Sequence, residues 1–265
     1  MATNVSAAAA PPGFGSTHRK DTWWVGPLLT ALGFGTFIVY STFRAFYNAE
    51  YLVDPEHGFP GSSHILSPFY SPLIALPTSL AFISPAFLIL WAPGGFRLTC
   101  YYYRKAYYRA FFWDPPACAV GEPRKDYNGE TALLIFQNIH RYFLYLAIIF
   151  VVILTYDVWL TLWWPNEDGS HSFGMSVATL VLATNVVFIA LYTFSCHSWR
   201  HLVGGKVDCF SCVAMGQTRY EAWKRVSKLN KNHMLWAWIS LFTVGLADLY
   251  VWLVASHTIT DIRFF

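Results

Sequence analysis

The chain has 265 residues, 55% hydrophobic and only 12% charged, a balance far too apolar for an ordinary soluble domain of this length. The formal net charge of +3 is too small to imply a nucleic-acid-binding surface, so the placement of charge matters more than its total. Aromatic residues reach 19%, with 12 Trp and 16 Tyr, rings that favour the headgroup zone of a bilayer.

Residues 1–22 read as a flexible cytoplasmic arm, because the stretch from Met1 to Gly15 is rich in Ala, Pro and Gly and lacks the basic-then-apolar order of a secretory signal. The rest, 23–265, is predicted to be one membrane domain with apolar runs at about 25–47, 71–92, 138–164, 173–199 and 232–256. Each run approaches the roughly 20 residues that cross a hydrocarbon core. The expected fold is therefore an all-α integral membrane protein, a five-transmembrane-helix bundle.

Trp23 and Trp24 anchor the first run at the interface. The second carries Pro72, Pro77 and Pro85, so a kinked helix is expected there. Between the second and third runs, Tyr101, Tyr102, Tyr103, Arg104, Lys105, Tyr107, Tyr108 and Arg109 form a basic aromatic stretch. It reads either as an interfacial helix beneath a docked partner or as a snorkelling continuation of the second helix. His140 and Arg141 open the third run, and Trp159, Trp163 and Trp164 close it. No internal repeat is apparent in the chain.

Sixteen of the 18 Lys and Arg residues fall in the arm and in the segments joining runs two to three and four to five. The opposite loops, 48–70 and 165–172, contain none and carry Glu50, Asp54, Glu56, Glu167 and Asp168 instead. By the positive-inside rule the N-terminus is cytoplasmic and the C-terminus outside, in a multi-pass protein of the plasma (inner) membrane.

All five cysteines fall on the inferred cytoplasmic side, where thiols are normally reduced and disulfides are disfavoured. The densest stretch holds Cys196, His197, His201, Cys209 and Cys212. A Cys-x-x-Cys turn lets two thiolates grip one metal, and His197 and His201 at i and i+4 share a helix face. Two Cys with two His is the donor set of a Rieske-type 2Fe–2S cluster, and structural zinc uses the same donors. His140 and His233 open the third and fifth runs at the same depth, so they are candidates to complete the site. They also offer a bis-histidine haem b site as the rival.

At the outer end, Asp157 and Asp248 sit inside apolar runs, where a carboxylate faces the bundle interior, a wet cavity or a partner. Arg44 is the expected counter-charge, with Glu50, Tyr51 and His64 in reach from the first loop. A proton path or outer quinone pocket is one reading, and a structural ion pair is the other.

The motif Leu66-Ser67-Pro68-Phe69-Tyr70-Ser71-Pro72 and the segment Cys196-His197-Ser198-Trp199-Arg200-His201 resemble the membrane anchor of actinobacterial, mycobacterial-type succinate dehydrogenase 1. The likeness extends over most of the chain from Trp23 onward. It implies flavoprotein and iron–sulfur partner subunits, with a small accessory membrane subunit as a further expected partner. It also implies a membrane-embedded Rieske-type cluster in place of haem b, and menaquinone as electron acceptor. Ser195, Trp199, Tyr101 and Arg104 are the candidate quinone contacts on the inner side. Succinate chemistry would lie on another chain, since no nucleophilic triad or phosphate loop is visible. A non-redox transporter holding structural zinc is the competing class, though the inverted repeat of many transporters is missing.

Overall fold

The computed structural model describes residues 13–80, 82–123, 130–205 and 207–265, and for 78 and 130–137 the backbone alone. Residues 1–12 of the arm, and Arg124, Lys125 and Lys206 of the basic set, lie outside the described residues.

The architecture is an all-α membrane bundle. Helices α1 (Val25–Tyr47), α4 (Glu130–Leu160), α5 (Val177–Phe194) and α8 (His233–Ala255) each contain a segment long and apolar enough to span a bilayer. Shorter helices α2 (Pro85–Thr99), α3 (Tyr101–Tyr107), α6 (His197–Arg200) and α7 (Gly216–Lys231) complete the chain. Large apolar side chains such as Leu29, Val39, Ile149, Val152 and Leu246 are exposed on the outside of the bundle, whereas Asn185, Ser240, Thr179 and Asp248 are buried within it. That inversion of the soluble pattern is what lipid as solvent requires.

The second run differs from expectation. Residues 71–80 and 82–84 are irregular apart from a short turn at Thr78–Leu80, and the helix begins only at Pro85. Proline lacks an amide proton, so Pro72 and Pro77 interrupt a helical ladder, while Pro85 at the first helical position costs nothing. The Ser84 hydroxyl accepts from the Ala86 amide, and this cap fixes the start of α2. The result is a 15-residue helix joined to an extended segment in place of a kinked helix over 71–92. The third helix begins earlier than expected, at Glu130, and the fourth is shorter, ending at Phe194.

α8 packs chiefly on α5, α2 on α4, and α4 on α5. Ala178, Ala237 and Ala247 are fully buried, and small side chains of this kind let membrane helices approach closely. At Gly95 the approach of α4 is closest: a Cβ there would lie 2.3 Å from the Phe143 ring.

The acidic end is closed by two hairpins, β1 (Leu52–Val53) with β2 (Ile65–Leu66), and β3 (Trp163–Pro165) with β4 (His171–Phe173), both antiparallel. The C-terminal tail returns there, and the Asp261 carboxylate accepts from the Ala178 amide at 2.9 Å. A carboxylate at this position favours the N-terminus of α5.

At the basic end the expected loose arm is tied down over its described part. Gly15 and Ser16 exchange backbone hydrogen bonds with Gly121, Arg19 donates to the Cys118 carbonyl, and Phe14 stacks on Trp113 at 4.9 Å. α7 is polar and lies alongside α6, with only Gly216 and Val226 buried.

Candidate functional site

A cavity of about 960 Å³ opens at the basic end, between the close of α2, the first turn of the α4 span, the α5–α6 junction and the start of α8. Six histidines and cysteines line it: Cys100, His140, Cys196, His197, His201 and His233. The three most deeply placed, Cys100, His140 and Cys196, are buried, at 3%, 7% and 0% exposure.

Two short segments build the inner wall in the same way. In Phe96-Arg97-Leu98-Thr99-Cys100 an aromatic ring is followed three residues on by a hydroxyl and then at once by a thiol, and the last two line the cavity. Tyr192-Thr193-Phe194-Ser195-Cys196 repeats that order at the end of α5. One helical turn separates the ring from the hydroxyl, so both reach the same neighbour.

Each segment holds one imidazole. Phe96 stacks on His140 with ring centroids 4.5 Å apart, and Thr99 Oγ1 lies 3.0 Å from His140 Nδ1. Tyr192 stacks on His233 at 5.1 Å, and Ser195 Oγ lies 2.7 Å from His233 Nδ1. The Thr99 hydroxyl donates its single proton to the Gly95 carbonyl at 2.7 Å, and the Ser195 hydroxyl donates to Tyr192 O at 3.1 Å. With the hydroxyl protons placed on those carbonyls, each oxygen accepts from its imidazole, the ring proton sits on Nδ1 and the Nε2 lone pair stays unprotonated. His233 Nε2 is 3.5 Å from the Cys100 thiol.

Burial raises the Cys100 thiol above its ordinary range and pushes that of Cys196 up to about 11. Neither is a thiolate near neutral pH unless a metal supplies the compensating charge. Cys196 Sγ accepts from the Trp199 amide at 3.3 Å, a bond that strengthens when sulfur is anionic.

The remaining candidates divide. His197 is exposed on the cavity wall, and His201 Nδ1 is hydrogen-bonded to the Arg141 guanidinium. Cys209 and Cys212 are corrected outright: they are joined in a disulfide in the α6–α7 loop, outside the cavity lining. The turn that lets two thiols grip a metal also lets them reach each other, and the spacing alone did not separate the two outcomes. Among the described residues no three His, Cys, Asp or Glu side chains converge as a single metal ion would need. A binuclear cluster makes a different demand, with two protein donors for each iron. Two thiols and two imidazoles around one cavity are donors of that number and kind.

Of the quinone candidates, Ser195 is engaged with His233, and Trp199 packs its ring on Phe194 at 5.2 Å. Tyr101 is exposed and lines the cavity, with the Arg104 guanidinium 5.1 Å above its ring. Cys100 was missed as a donor by sequence reasoning. The signal for it was the repeated order of aromatic, two residues, hydroxyl and cysteine.

At the acidic end Arg44 and Asp248 form a fully buried ion pair, Nε to Oδ2 2.8 Å. Asp248 also accepts from Tyr40 and Ser67, both at 2.5 Å, and the remaining Arg44 nitrogens donate to the Ala49 and Glu50 carbonyls. Glu50 accepts from Trp252 Nε1 at 2.7 Å, and Tyr51 stacks on Tyr70 at 4.0 Å. Asp157 stands apart, accepting from Ser71 Oγ at 2.5 Å, and His64 lies 3.5 Å from Asp54. Arg44 and Asp248 are thus paired with each other and bonded to further neighbours, and Asp157 does not share Arg44 as counter-charge.

The family described as actinobacterial succinate dehydrogenase subunit SdhC matches residues 25–257. A chain of the Mycobacterium smegmatis Sdh1 complex in the apo form is 43% identical, with a TM-score of 0.81 and 98% of each chain covered. Curated proteins give no match.

Proposed function

The chain belongs to the actinobacterial succinate dehydrogenase SdhC family, and from that premise we propose that it conducts electrons from the complex's iron–sulfur subunit to menaquinone through a Rieske-type 2Fe–2S cluster. As the membrane anchor of an oxidoreductase it works with flavoprotein and iron–sulfur partner subunits, which carry out the chemistry on succinate.

The carrying observation is the paired wall: Cys100 and Cys196 supply two thiols, and His140 and His233 supply two imidazoles whose Nδ1 protons are held by Thr99 and Ser195. These four residues would hold the cluster. It would supply one-electron transfer at a potential raised by imidazole ligation. The hydroxyls fix ring orientation and tautomer, the role that outer hydrogen-bond partners play around ligating histidines. The stacked Phe96 and Tyr192 rings restrict each imidazole to one plane and exclude water from its face.

Menaquinone, as substrate, takes up two electrons and two protons. Tyr101 and Arg104 offer it a ring edge and a cation beside the cavity, while the exposed His197 offers a protonatable group on the same wall. Ser195 leaves the set of quinone contacts, since its hydroxyl already serves His233. The basic end, with its aromatic α3, is the face on which we place the partner subunits and the cytoplasm.

Haem b bound through His140 and His233 would make no use of the two buried thiols, and structural zinc would need more than two donors gathered at one point. Electron paramagnetic resonance with metal analysis on the purified complex tests the reading. A reduced signal of an imidazole-ligated 2Fe–2S cluster, additional to those of the iron–sulfur subunit, is expected. A low-spin haem signal, or zinc without that additional iron, would refute it.

A further inference from the structure

The two wall segments differ in charge at their second residue, Arg97 in one and Thr193 in the other. Arg97 is half-buried, and its guanidinium bonds Tyr103 Oη at 2.5 Å and Ser240 Oγ at 3.1 Å, with a longer contact to Ala237 O. It also lies over the Tyr192 ring, 4.8 Å from the centroid, and over that of Tyr103 at 5.6 Å. Every one of these partners is uncharged, and among the described residues no carboxylate pairs with it. Arg44 at the opposite end shows the usual solution for a cation within this bundle, a carboxylate at 2.8 Å. A cation left without an acid inside the protein is placed to stabilise negative charge that forms on something bound nearby.

We propose that Arg97 is the electrostatic tuning residue of the cavity, a fixed cation that raises the reduction potential of the iron group held there. The inference rests on the ligand reading above. With two thiolates, two neutral imidazoles, two bridging sulfides and two ferric ions, such a group is neutral when oxidised. One electron makes it singly negative, with no bond formed or broken. A neighbouring cation therefore stabilises the reduced form alone.

The distance follows from the stacking: the guanidinium is 4.8 Å from the Tyr192 centroid, and that centroid is 5.1 Å from the His233 ring. The charge thus lies within about 10 Å of a donor ring, where Coulomb's law at an effective dielectric of about 20 gives about a tenfold effect on a one-electron equilibrium.

The test is a redox titration of the whole purified complex, following the cluster's own resonance signal and its iron content. Arg97→Gln is expected to lower the midpoint potential by about 59 mV, the equivalent of tenfold, with iron content retained. Arg97→Lys keeps the charge and should remain near the unaltered value. Ser240→Asp keeps the guanidinium but neutralises it, and should lower the potential in the same direction. It decides the matter alone if Arg97→Gln does not assemble. A potential unmoved in Arg97→Gln and Ser240→Asp, or lowered as far in Arg97→Lys as in Arg97→Gln, would overturn the inference. Absence of the cluster signal from the unaltered complex would overturn the ligand reading beneath it, and is distinguishable because it precedes any substitution.

Discussion

Replacing Thr99 by valine keeps the volume and shape of the side chain but removes the hydroxyl oxygen that meets His140 Nδ1. In the native arrangement that oxygen lies 3.0 Å from Nδ1 and spends its own proton on Gly95 O at 2.7 Å. In Thr99→Val the ring has two choices. It can keep its N–H without the hydroxyl partner, at a cost of about 1 kcal/mol. Or it can move the proton to Nε2, which takes the lone pair away from the cavity. Either route weakens His140 as a donor, and loss of such an outer partner typically lowers metal affinity about 10–100-fold. The assay is iron retained per complex after a timed exposure to chelator, read together with the cluster's resonance signal. Thr99→Val should lose that iron markedly faster than the unaltered complex, while Thr99→Ser, which keeps the hydroxyl, should retain it. Equal retention in Thr99→Val and the unaltered complex would refute the assignment of Nδ1 as the held nitrogen.

Cys100→Ser and Cys196→Ser are each expected to abolish the additional cluster signal, whereas Cys209→Ser and Cys212→Ser leave it intact because those sulfurs are bonded to each other; a signal lost in the second pair and kept in the first would reverse the ligand assignment. Asp248→Asn strands a fully buried Arg44 and should destabilise the bundle by about 3–5 kcal/mol, seen as a clear fall in the unfolding temperature of the purified complex; an unchanged temperature would show the pair to be dispensable. Gly95→Ala places a Cβ 2.3 Å from the Phe143 ring and should cost about 1–3 kcal/mol, with partial recovery in the double variant Gly95→Ala, Phe143→Leu; equal melting of the single and double variants would exclude that contact as the cause. In a Cys118→Ser background, Cys212 is exposed and should accept a membrane-impermeant maleimide only after reduction, and only in inside-out vesicles; labelling in right-side-out vesicles would invert the assigned topology.

The membrane class, α1 and α8 were legible because hydropathy over some 20 residues is a local, additive property of the chain. The second helix was not read correctly, because Ser71 to Ala92 is apolar enough to span while its prolines forbid a continuous ladder. Hydropathy weighs side chains and takes no account of missing amide protons. At the site, the contrast lies between two pairs of cysteines. Cys209 and Cys212 looked like metal donors because they are close in sequence, and that same closeness lets them bond to each other. Cys100 and Cys196 are far apart in sequence, so no local spacing pairs them, yet they share one cavity.

What the sequence determined by itself was the solvent of the protein, the sidedness of its charges and the kinds of donor available, each fixed by composition along short windows. Only the tertiary structure decided which donors meet, because the packing of α2 against α4 and of α5 against α8 brings each hydroxyl to its imidazole. Directional hydrogen bonds then select one tautomer for each ring, and no spacing within a single helix encodes that choice.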